Sequence, residues 1–204
     1  MKASIIGLVG PIACGKGVVV DYLKNKFGYS SFSLSSILHD ELKRKGVATF
    51  SRTTLQDMGD ELRKKEGDGV LAKRAITLFR RPQGSPLQHA GGHTGPPLHP
   101  KIIIEGIRNR GEVEYLRTIP GFFLIAVDAS PELRFQRVLK RGKPWDPKDW
   151  EEFLKVDARD RGDGGNGGSG QQVRQCMDLA DVRIENEGDK SKVYEAVESL
   201  IANL

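Results

Sequence analysis

The sequence predicts an α/β protein with a parallel, doubly wound sheet. Short apolar segments alternate with segments of helical periodicity along the 204 residues, as in folds whose strands are joined by crossover helices. Two apolar runs stand out, Ala3 to Val9, which is nearly continuous, and Ile102 to Ile104, and such runs are typical of strands that are covered on both faces. A glycine-rich segment directly follows the first run, at the strand end where such sheets bind their ligands.

The first half of the chain is expected to contain two strands and four helices up to residue 80. The apolar residues of the first helix are spaced four apart, and the helix ends before Gly28. Serines that can act as helix caps precede the second helix. The predicted strands are Ala3 to Val9 and Tyr29 to Leu34, and the predicted helices are Val18 to Phe27, Ile37 to Lys45, Thr53 to Lys65 and Gly69 to Phe79.

The second half returns to alternation after an irregular segment. Pro82 to Pro100 is rich in Gly, Pro and His, which indicates a surface loop. Pro131 stands in the first turn of a predicted helix, where proline is favoured. The predicted strands are Lys101 to Glu105, Phe122 to Val127 and Val182 to Glu185, and the predicted helices are Glu112 to Thr118, Ser130 to Lys140, Val173 to Leu179 and Lys190 to Leu204.

The composition indicates one folded domain over residues 1–204, since 38% of the residues are hydrophobic and 29% are charged. The net charge of +5 suits a protein that handles anions or reflects a solvated basic surface, and no long Lys/Arg block points to nucleic acid. Two distant cysteines argue against a disulfide framework and favour the cytoplasm. No apolar run is long enough to span a bilayer, so no membrane partner is expected. The sequence does not specify an oligomeric state.

The segment Gly10 to Gly17, GPIACGKG, matches a phosphate-binding loop except at its last position. The usual pattern ends in Ser or Thr, whose hydroxyl binds Mg²⁺, and here that place is Gly17. Glycines let successive backbone N–H groups point at phosphate oxygens, and Lys16 can reach the outer phosphates. The alternative is an ordinary glycine-rich turn with an incidental lysine. The residues that we expect to contact a donor nucleotide here are Gly10, Pro11, Ala13, Cys14, Gly15, Lys16, Gly17 and Val18.

A second motif, IEGIR, ends the predicted strand at residue 105. A carboxylate at the carboxyl end of a strand can organise Mg²⁺ or its waters, which is the role that we expect for Glu105. Arg108 can bind an acceptor phosphate through its planar fork. A surface salt bridge at a strand end is the alternative interpretation.

Basic residues follow the fourth predicted strand and are candidates for a mobile lid over residues 141–172. Phosphoryl transfer requires positive charge that closes over the transferred group. The glycine cluster Gly162 to Gly170 would supply mobility. The alternative is a charged, exposed helix, which is our expectation for Arg134. The arginines expected to act in catalysis are Arg137, Arg141, Arg159 and Arg161.

Several motifs together resemble the P-loop nucleotide kinase superfamily, most closely its dephospho-CoA kinase-like and deoxynucleoside monophosphate kinase-like branch. The G-K-G of the loop is also similar to adenylate and uridylate-cytidylate kinases, in which glycine follows the lysine. The motifs are Gly10 to Gly17, Thr53 to Gly59, Glu105 to Arg108 with Glu112 to Glu114, Ala129 to Pro131 with Arg134, and Ala180 to Asp181 with Asn186 to Gly188.

The resemblance implies a three-layer α/β/α P-loop kinase fold with five parallel strands, an acceptor-binding helical region over residues 35–80 and a lid. It also implies ATP as the donor, Mg²⁺ as a charge bridge, and an adenine pocket near Asn186 and Gly188. Kinases of this type bind the acceptor between the helices after the second strand. The acceptor candidates there are Ser35, Asp40, Arg52, Gln56 and Arg63, each of which is otherwise a helix-surface residue or cap.

Two functions follow from these residues. The first is an ATP-dependent phosphotransferase that acts on a nucleoside or deoxynucleoside monophosphate, or on a related small acceptor such as dephospho-CoA. The second is a nucleotide-binding sensor or switch that acts through a protein partner without turnover. His89, His93 and His99 fall in the irregular loop without cysteines nearby, so no zinc site is expected there.

Overall fold

The computed structural model describes residues 4–80, 101–162 and 170–204. Within these ranges a single sheet of five parallel strands is covered by helices. The strands are β1 (Ile5–Val9), β2 (Ser30–Ser33), β3 (Ile102–Glu105), β4 (Phe122–Asp128) and β5 (Val182–Glu185). The helices are α1 (Lys16–Phe27), α2 (Leu34–Arg44), α3 (Arg52–Glu66), α4 (Val70–Arg80), α5 (Arg110–Arg117), α6 (Pro131–Arg141), α7 (Trp150–Arg161), α8 (Val173–Asp178) and α9 (Lys190–Ala202).

The sheet has the strand order β2-β3-β1-β4-β5, and all neighbouring strands run parallel. The strand β1 is therefore central, with β3 on one side and β4 on the other, and its continuous apolar run is explained by burial on both faces. Leu8 of β1 lies opposite Glu105 of β3. The predicted parallel α/β fold is confirmed, and its carboxyl edge carries the ends of β1, β2 and β3 together.

Two hydrophobic cores lie on opposite faces of this sheet. Alternate residues of one strand enter different cores: Ile102 and Ile104 face helices α2 to α5 and α8, whereas Ile103 faces α1 and α9. This alternation is the reason that β3 reads as an unbroken run of isoleucine. None of the helices in the described ranges is both long and apolar enough to cross a membrane.

The segment predicted as a charged lid contains a regular helix, α7, that the sequence analysis did not anticipate. Asp149 caps it through its side chain. Of its apolar residues only Phe153 is fully buried, so the amphipathic signal is weak. The irregular loop Pro82 to Pro100, with its histidines, and most of the glycine cluster lie outside the described residues.

Arg134 corrects a second expectation, since its side chain is fully buried rather than exposed. Its guanidinium donates to both carboxylate oxygens of Asp157 on α7, at 2.5 and 2.9 Å, and lies 5.4 Å from the centre of the Phe153 ring. A two-point bond of this kind fixes direction as well as distance. It ties α7 to α6, and no local pattern in the sequence indicates this partner, because the two residues are 23 positions apart.

Candidate nucleotide and acceptor sites

The phosphate loop lies between β1 and α1 and depends on the conformation of its glycines. Gly15 has φ 98°, a left-handed conformation that favours glycine. A Cβ atom at Gly15 would stand 1.9 Å from Nδ2 of Asn186, and one at Gly10 would stand 2.1 Å from the backbone oxygen of Val127. Ala13 also has a positive φ, 57°. The backbone is thereby folded into a tight concave turn at the N-terminus of α1, the geometry that binds phosphate.

Lys16 lies over this loop. Its Nζ atom donates to the backbone oxygens of Gly10 at 2.7 Å and Pro11 at 2.9 Å, and lies 3.4 Å from Sγ of Cys14. The ammonium group is thus held at the concave side by neutral acceptors and by no carboxylate of the described residues. A phosphate group offers charged acceptors, to which the same lysine would bond more strongly.

The two residues after Lys16 differ in what they can contribute. Gly17 is exposed, and no atom lies within 4 Å of the place where its Cβ would be. Val18 packs its side chain against the core shared by α1 and α9, and its N–H donates to the oxygen of Gly15 at 2.9 Å. The side chain of Val18 is therefore part of the core, and the contact of this residue with a donor nucleotide stays a prediction.

Arg137 and Asn186 brace the loop from outside. Arg137 Nη1 donates to the oxygen of Cys14 at 3.2 Å, and its Nη2 donates to the backbone oxygen of Asn186 at 2.8 Å. Asn186 Nδ2 also donates to Cys14, at 3.1 Å. These bonds bring together three predicted donor-site segments: the loop, α6 and the turn after β5. Gly188 follows with φ 117° and open space around it.

Glu105 stands at the carboxyl end of β3 between two other strands. It lies opposite Leu8 of β1 and Ser33 of β2 and is half-buried. Among the described residues its carboxylate has no hydrogen-bond or ion-pair partner. A carboxylate beside a phosphate loop suits Mg²⁺, which keeps several waters and takes one or two carboxylates together with substrate phosphates. The described residues contain no cluster of three or more His, Cys, Asp or Glu that could hold a metal by themselves.

A cavity that we call the arginine cavity opens between α2, α3 and the turn after β3. It contains most of the predicted acceptor residues, although they come from segments far apart in the chain. Asp40 is not among them: it is exposed on α2 and does not line the cavity. The lining residues are Ser35, Leu38, Arg52, Leu55, Gln56, Gly59, Arg63, Leu71, Gly106, Arg108 and Gln171.

Asp160 of α7 lies at the centre of the charges in the arginine cavity. Its Oδ2 accepts from Arg52 at 2.5 Å and from Arg108 at 2.9 Å, and its Oδ1 accepts from Gln56 at 2.8 Å. Burial alone would raise the pKa of this carboxyl, but the charges of Arg108 and Arg52 outweigh burial and hold the pKa at about 2. Asp160 therefore stays ionised. Its carboxylate lies between Arg52 and Arg108, where the two guanidinium groups could otherwise bind a dissolved anion.

The guanidinium of Arg52 has one hydrogen-bond donor that is not used within the described residues. Its Nε atom is buried and makes no hydrogen bond within the described residues. Burial lowers the pKa of Arg52, and the charge of Asp160 opposes that shift. One carboxylate shared by Arg52 and Arg108 leaves this group of three with a net positive charge.

Arg63 forms a buried network below the arginine cavity. Its Nε and Nη2 donate to Oε1 of Glu112 at 3.1 and 2.9 Å, and both side chains are at most 1% exposed. The other oxygen, Oε2, accepts from the backbone N–H of Arg108 at 2.8 Å. The network thus fixes the backbone from which Arg108 projects, so that Arg63 supports the site as well as lining it.

The three outer lid arginines do not approach the phosphate loop. Each forms an ion pair with an acidic side chain, and of the four predicted lid arginines only Arg137 contacts the loop. The expected grouping around the transferred phosphate is therefore absent from this arrangement, because nearby carboxylates neutralise the guanidinium groups. The pairs are Arg141 with Asp146, Arg159 with Asp57, and Arg161 with Asp157.

The chain is similar in sequence to proteins of several archaea. A UPF0200 protein of Thermococcus sibiricus is 33% identical over 159 residues, which are 76% of this chain and 74% of the relative. The chain belongs to the UPF0200 family. A second UPF0200 protein, from Methanothrix thermoacetophila, is 30% identical over 162 residues, 78% of this chain and 79% of the relative. No protein-family model matches this UPF0200 chain.

Solved structures show that this UPF0200 chain has the fold of the P-loop kinases. TT1252 from Thermus thermophilus superposes with a TM-score of 0.59 and 18% identity over 100% of this chain and 99% of its own. Shikimate kinase from Acinetobacter baumannii gives 0.53 and 17%, over 98% and 93%. A gluconokinase from Sinorhizobium meliloti gives 0.52 and 12%, also over 98% and 93%. The predicted fold class is confirmed by these likenesses.

Proposed function

We propose that this chain transfers the γ-phosphoryl group of ATP to a small acceptor that carries an anionic group. Candidate acceptors are nucleoside and deoxynucleoside monophosphates and related molecules such as dephospho-CoA. The observation that carries the proposal is the juxtaposition of two anion sites on neighbouring strands. The phosphate loop follows β1, the turn with Arg108 follows β3, and Glu105 lies in between.

The donor end would be held by the loop amides, Lys16 and Arg137. Lys16 would leave its backbone acceptors for the outer phosphates, where its charge opposes the charge that develops during transfer. Asn186 keeps the loop in its conformation. Glu105 would organise Mg²⁺, which supplies charge neutralisation and needs no hydroxyl at Gly17 in this assignment.

The acceptor end would be held by Arg52 and Arg108, because a planar guanidinium binds phosphate and carboxylate groups through paired hydrogen bonds. The unbonded Nε of Arg52 supports this role. The structural neighbours are in line with this role, since two of them are named a shikimate kinase and a gluconokinase. The resemblance to dephospho-CoA kinase-like proteins supplies the narrower choice of acceptor.

A nucleotide sensor without turnover is the second candidate. The observation that favours it is the pairing of Arg141, Arg159 and Arg161 with carboxylates, which leaves Arg137 as the lid arginine at the loop. A sensor requires less positive charge around the γ-phosphate than a kinase does. In that case the lid would change partners on nucleotide binding and present a surface to another protein.

The test is conversion of ATP to ADP with Mg²⁺ against a panel of ribo- and deoxynucleoside monophosphates and dephospho-CoA, with the product mass measured for each. We expect one class of acceptor to gain a phosphoryl group. Lys16→Ala should then lower turnover by at least about 100-fold, the scale for losing one group that stabilises the transition state.

Lys24→Ala is the matched control, because Lys24 is exposed on the same helix. It should leave turnover unchanged, and both variants should keep the circular dichroism of the parent chain. ATP binding without a phosphorylated product from any acceptor would contradict the kinase and favour the sensor. Equal turnover by the Lys16→Ala variant would contradict the assignment of the loop.

A further inference from the structure

A second cavity, which we call the aromatic slot, lies between the segment before α3 and the turn after α6. It has a volume of about 280 Å³ and is open to solvent. None of its residues belongs to the phosphate loop or lines the arginine cavity. The residues that line the slot are Thr49, Phe50, Ser51, Thr54, Pro144 and Trp145.

Two aromatic rings line the aromatic slot. The centres of the Phe50 and Trp145 rings are 6.5 Å apart, and their planes are inclined by 33°. A planar ring stacked between them would need about 7 Å, twice the contact distance of ~3.5 Å between carbon atoms. A flat ring system would therefore enter between them only when one of the two side chains rotates, and aromatic faces of this kind attract a heteroaromatic ring.

Both rings contact further groups of the chain. The His39 ring meets Phe50 edge-on with centres 4.7 Å apart, and the Lys143 ammonium lies 5.7 Å from the centre of the Trp145 ring. Next to Trp145 in the chain, Arg141 binds both carboxylate oxygens of Asp146 at 2.5 and 2.6 Å, and the N–H of Asp146 donates to the backbone oxygen of Lys143 at 2.9 Å. These bonds close a turn around Trp145. They give Arg141 a positioning role, since the guanidinium secures the ring and not the transferred phosphate.

The aromatic slot and the arginine cavity share the first turns of α3. Ser51 and Thr54 line the slot, whereas Arg52 and Leu55, their neighbours in the chain, line the cavity. The two openings therefore border the same turns of one helix. This arrangement is what a molecule with a flat base and a phosphate, joined by a short sugar, would fill.

We propose that the aromatic slot is the base-binding subsite for the acceptor, which is accordingly a nucleoside monophosphate. The base stacks between Phe50 and Trp145 while its phosphate meets Arg52 and Arg108. This inference rests on the proposed function for the identity of the molecule as an acceptor, but the binding that it describes takes place without ATP.

The experiment measures the fluorescence of Trp145 in a Trp150→Phe background, since the chain has two tryptophans. The protein is titrated, without ATP or Mg²⁺, with nucleoside 5′-monophosphates and separately with ribose 5-phosphate, which has the anionic group but no base. We expect the nucleotides to quench Trp145 and to bind more tightly than ribose 5-phosphate, which should bind without quenching.

Phe50→Leu is the decisive variant because it removes one face of the slot and keeps an apolar side chain. It should weaken nucleotide binding by about 10- to 100-fold, the range expected for losing one stacked base, and leave ribose 5-phosphate binding unchanged. Phe79→Leu is the matched control. Phe79 pairs with Phe32 at 5.2 Å and lines neither cavity, so nucleotide binding should not change.

The outcomes separate this inference from the proposed function. Quenching and a Phe50-dependent affinity, without phosphoryl transfer to any acceptor of the panel, would support base binding in the slot and overturn the proposed kinase activity. Phosphoryl transfer to an acceptor without an aromatic ring, with no change in Trp145 fluorescence on adding nucleotides, would support the kinase activity. The same result would overturn base binding in the slot. Equal nucleotide affinity in Phe50→Leu and the parent chain would also overturn the slot.

Discussion

The phosphate loop and the arginine cavity lie beside each other on one sheet edge but are built in opposite ways. The loop is eight consecutive residues whose shape depends on backbone conformation, above all at Gly15. The cavity is made of ionised side chains brought together from distant segments, with Arg52 bonded to a carboxylate 108 positions away. The difference predicts that the loop is sensitive to an added methyl group, whereas the cavity is sensitive to a lost charge.

The largest expected effect is in the buried network under the arginine cavity. Glu112→Gln keeps the shape of the side chain but removes the closer counter-charge of Arg63 at a site that water does not reach, so that only Asp60, at 3.3 Å, remains. Removal of one partner from a buried ion pair costs about 3–5 kcal/mol. We expect that loss in the free energy of unfolding, measured by urea denaturation.

Glu114→Gln is its control, because Glu114 lies on the same helix in an exposed pair with Arg110. Exposed pairs of this kind contribute about 0.3–0.5 kcal/mol. A similar loss in both variants would show that burial does not distinguish the two pairs, and the proposed contrast between the two regions would be wrong.

The next effect belongs to the phosphate loop. Gly15→Ala places a methyl group in a left-handed conformation, which costs about 1–3 kcal/mol, and pushes Asn186 from its bond to Cys14. We expect both a lower melting temperature and a clear loss of ATP affinity, measured by calorimetry.

Gly28→Ala supplies the comparison for that variant. Gly28 is also left-handed, with φ 72°, but has no atom near its Cβ position and lies at the far end of α1. Gly28→Ala should lower the melting temperature but leave the ATP affinity unchanged. Normal ATP binding by Gly15→Ala would mean that the loop tolerates distortion and that its shape is not the determinant of donor binding.

Asp160→Asn tests the charge balance of the arginine cavity and is expected to cost about 2 kcal/mol. The pKa of Asp160 is lowered from 3.8 to about 2 in the folded chain, and each pKa unit corresponds to about 1.4 kcal/mol. Because the folded pKa is the lower one, this stabilisation is present above pH 4 and is lost as the pH falls toward 2.

The substitution should therefore destabilise the chain at pH 7 and make little difference near pH 2, as measured by urea unfolding at both pH values. It should also strengthen phosphate binding, since the cavity loses a negative charge. Asp57→Asn alters an exposed pair with Arg159. It should change neither the free energy of unfolding nor the affinity for phosphate. Weaker phosphate binding by Asp160→Asn would show that this carboxylate orders the arginines for the anion instead of competing with it.

The smallest effect is expected at Gly17. Its Cβ position is open and its backbone is helical, so Gly17→Ala should raise the free energy of unfolding by about 0.5 kcal/mol through helix propensity. ATP affinity should stay the same. A large loss of ATP affinity would place Gly17 in close contact with the nucleotide and would sharpen the description of the donor site.

The difference between the two regions also explains what could be predicted from the sequence. The loop is contiguous, and its glycines are required by its tight backbone turn. The sequence pattern is therefore sufficient to predict its position. The five strands could likewise be predicted from the sequence, because Ile102 to Ile104 and the other apolar runs are bounded by turns. Helix α7 was missed because charged residues dominate it.

The charge pairs could not be predicted, since pairing is decided by the fold. Arg134 looked like an exposed helical residue and proved to be fully buried against Asp157. Arg141 and Arg159 met carboxylates that nothing in their local sequence singles out. The role of Asp160 could not be predicted from the sequence. Its position between two arginines exists only when α3, α7 and the turn after β3 have packed.

The placement of Asp160 has a consequence for the choice between ligands. A carboxylate fixed by the fold acts as a competitor at a high effective concentration, which a dissolved anion must overcome. Inorganic phosphate would gain only the two guanidinium groups when it does so, whereas a molecule that also filled the aromatic slot would gain a second point of attachment. In the proposed assignment the tethered carboxylate would thus discriminate against simple salts and leave the arginines to a ligand that binds at both ends.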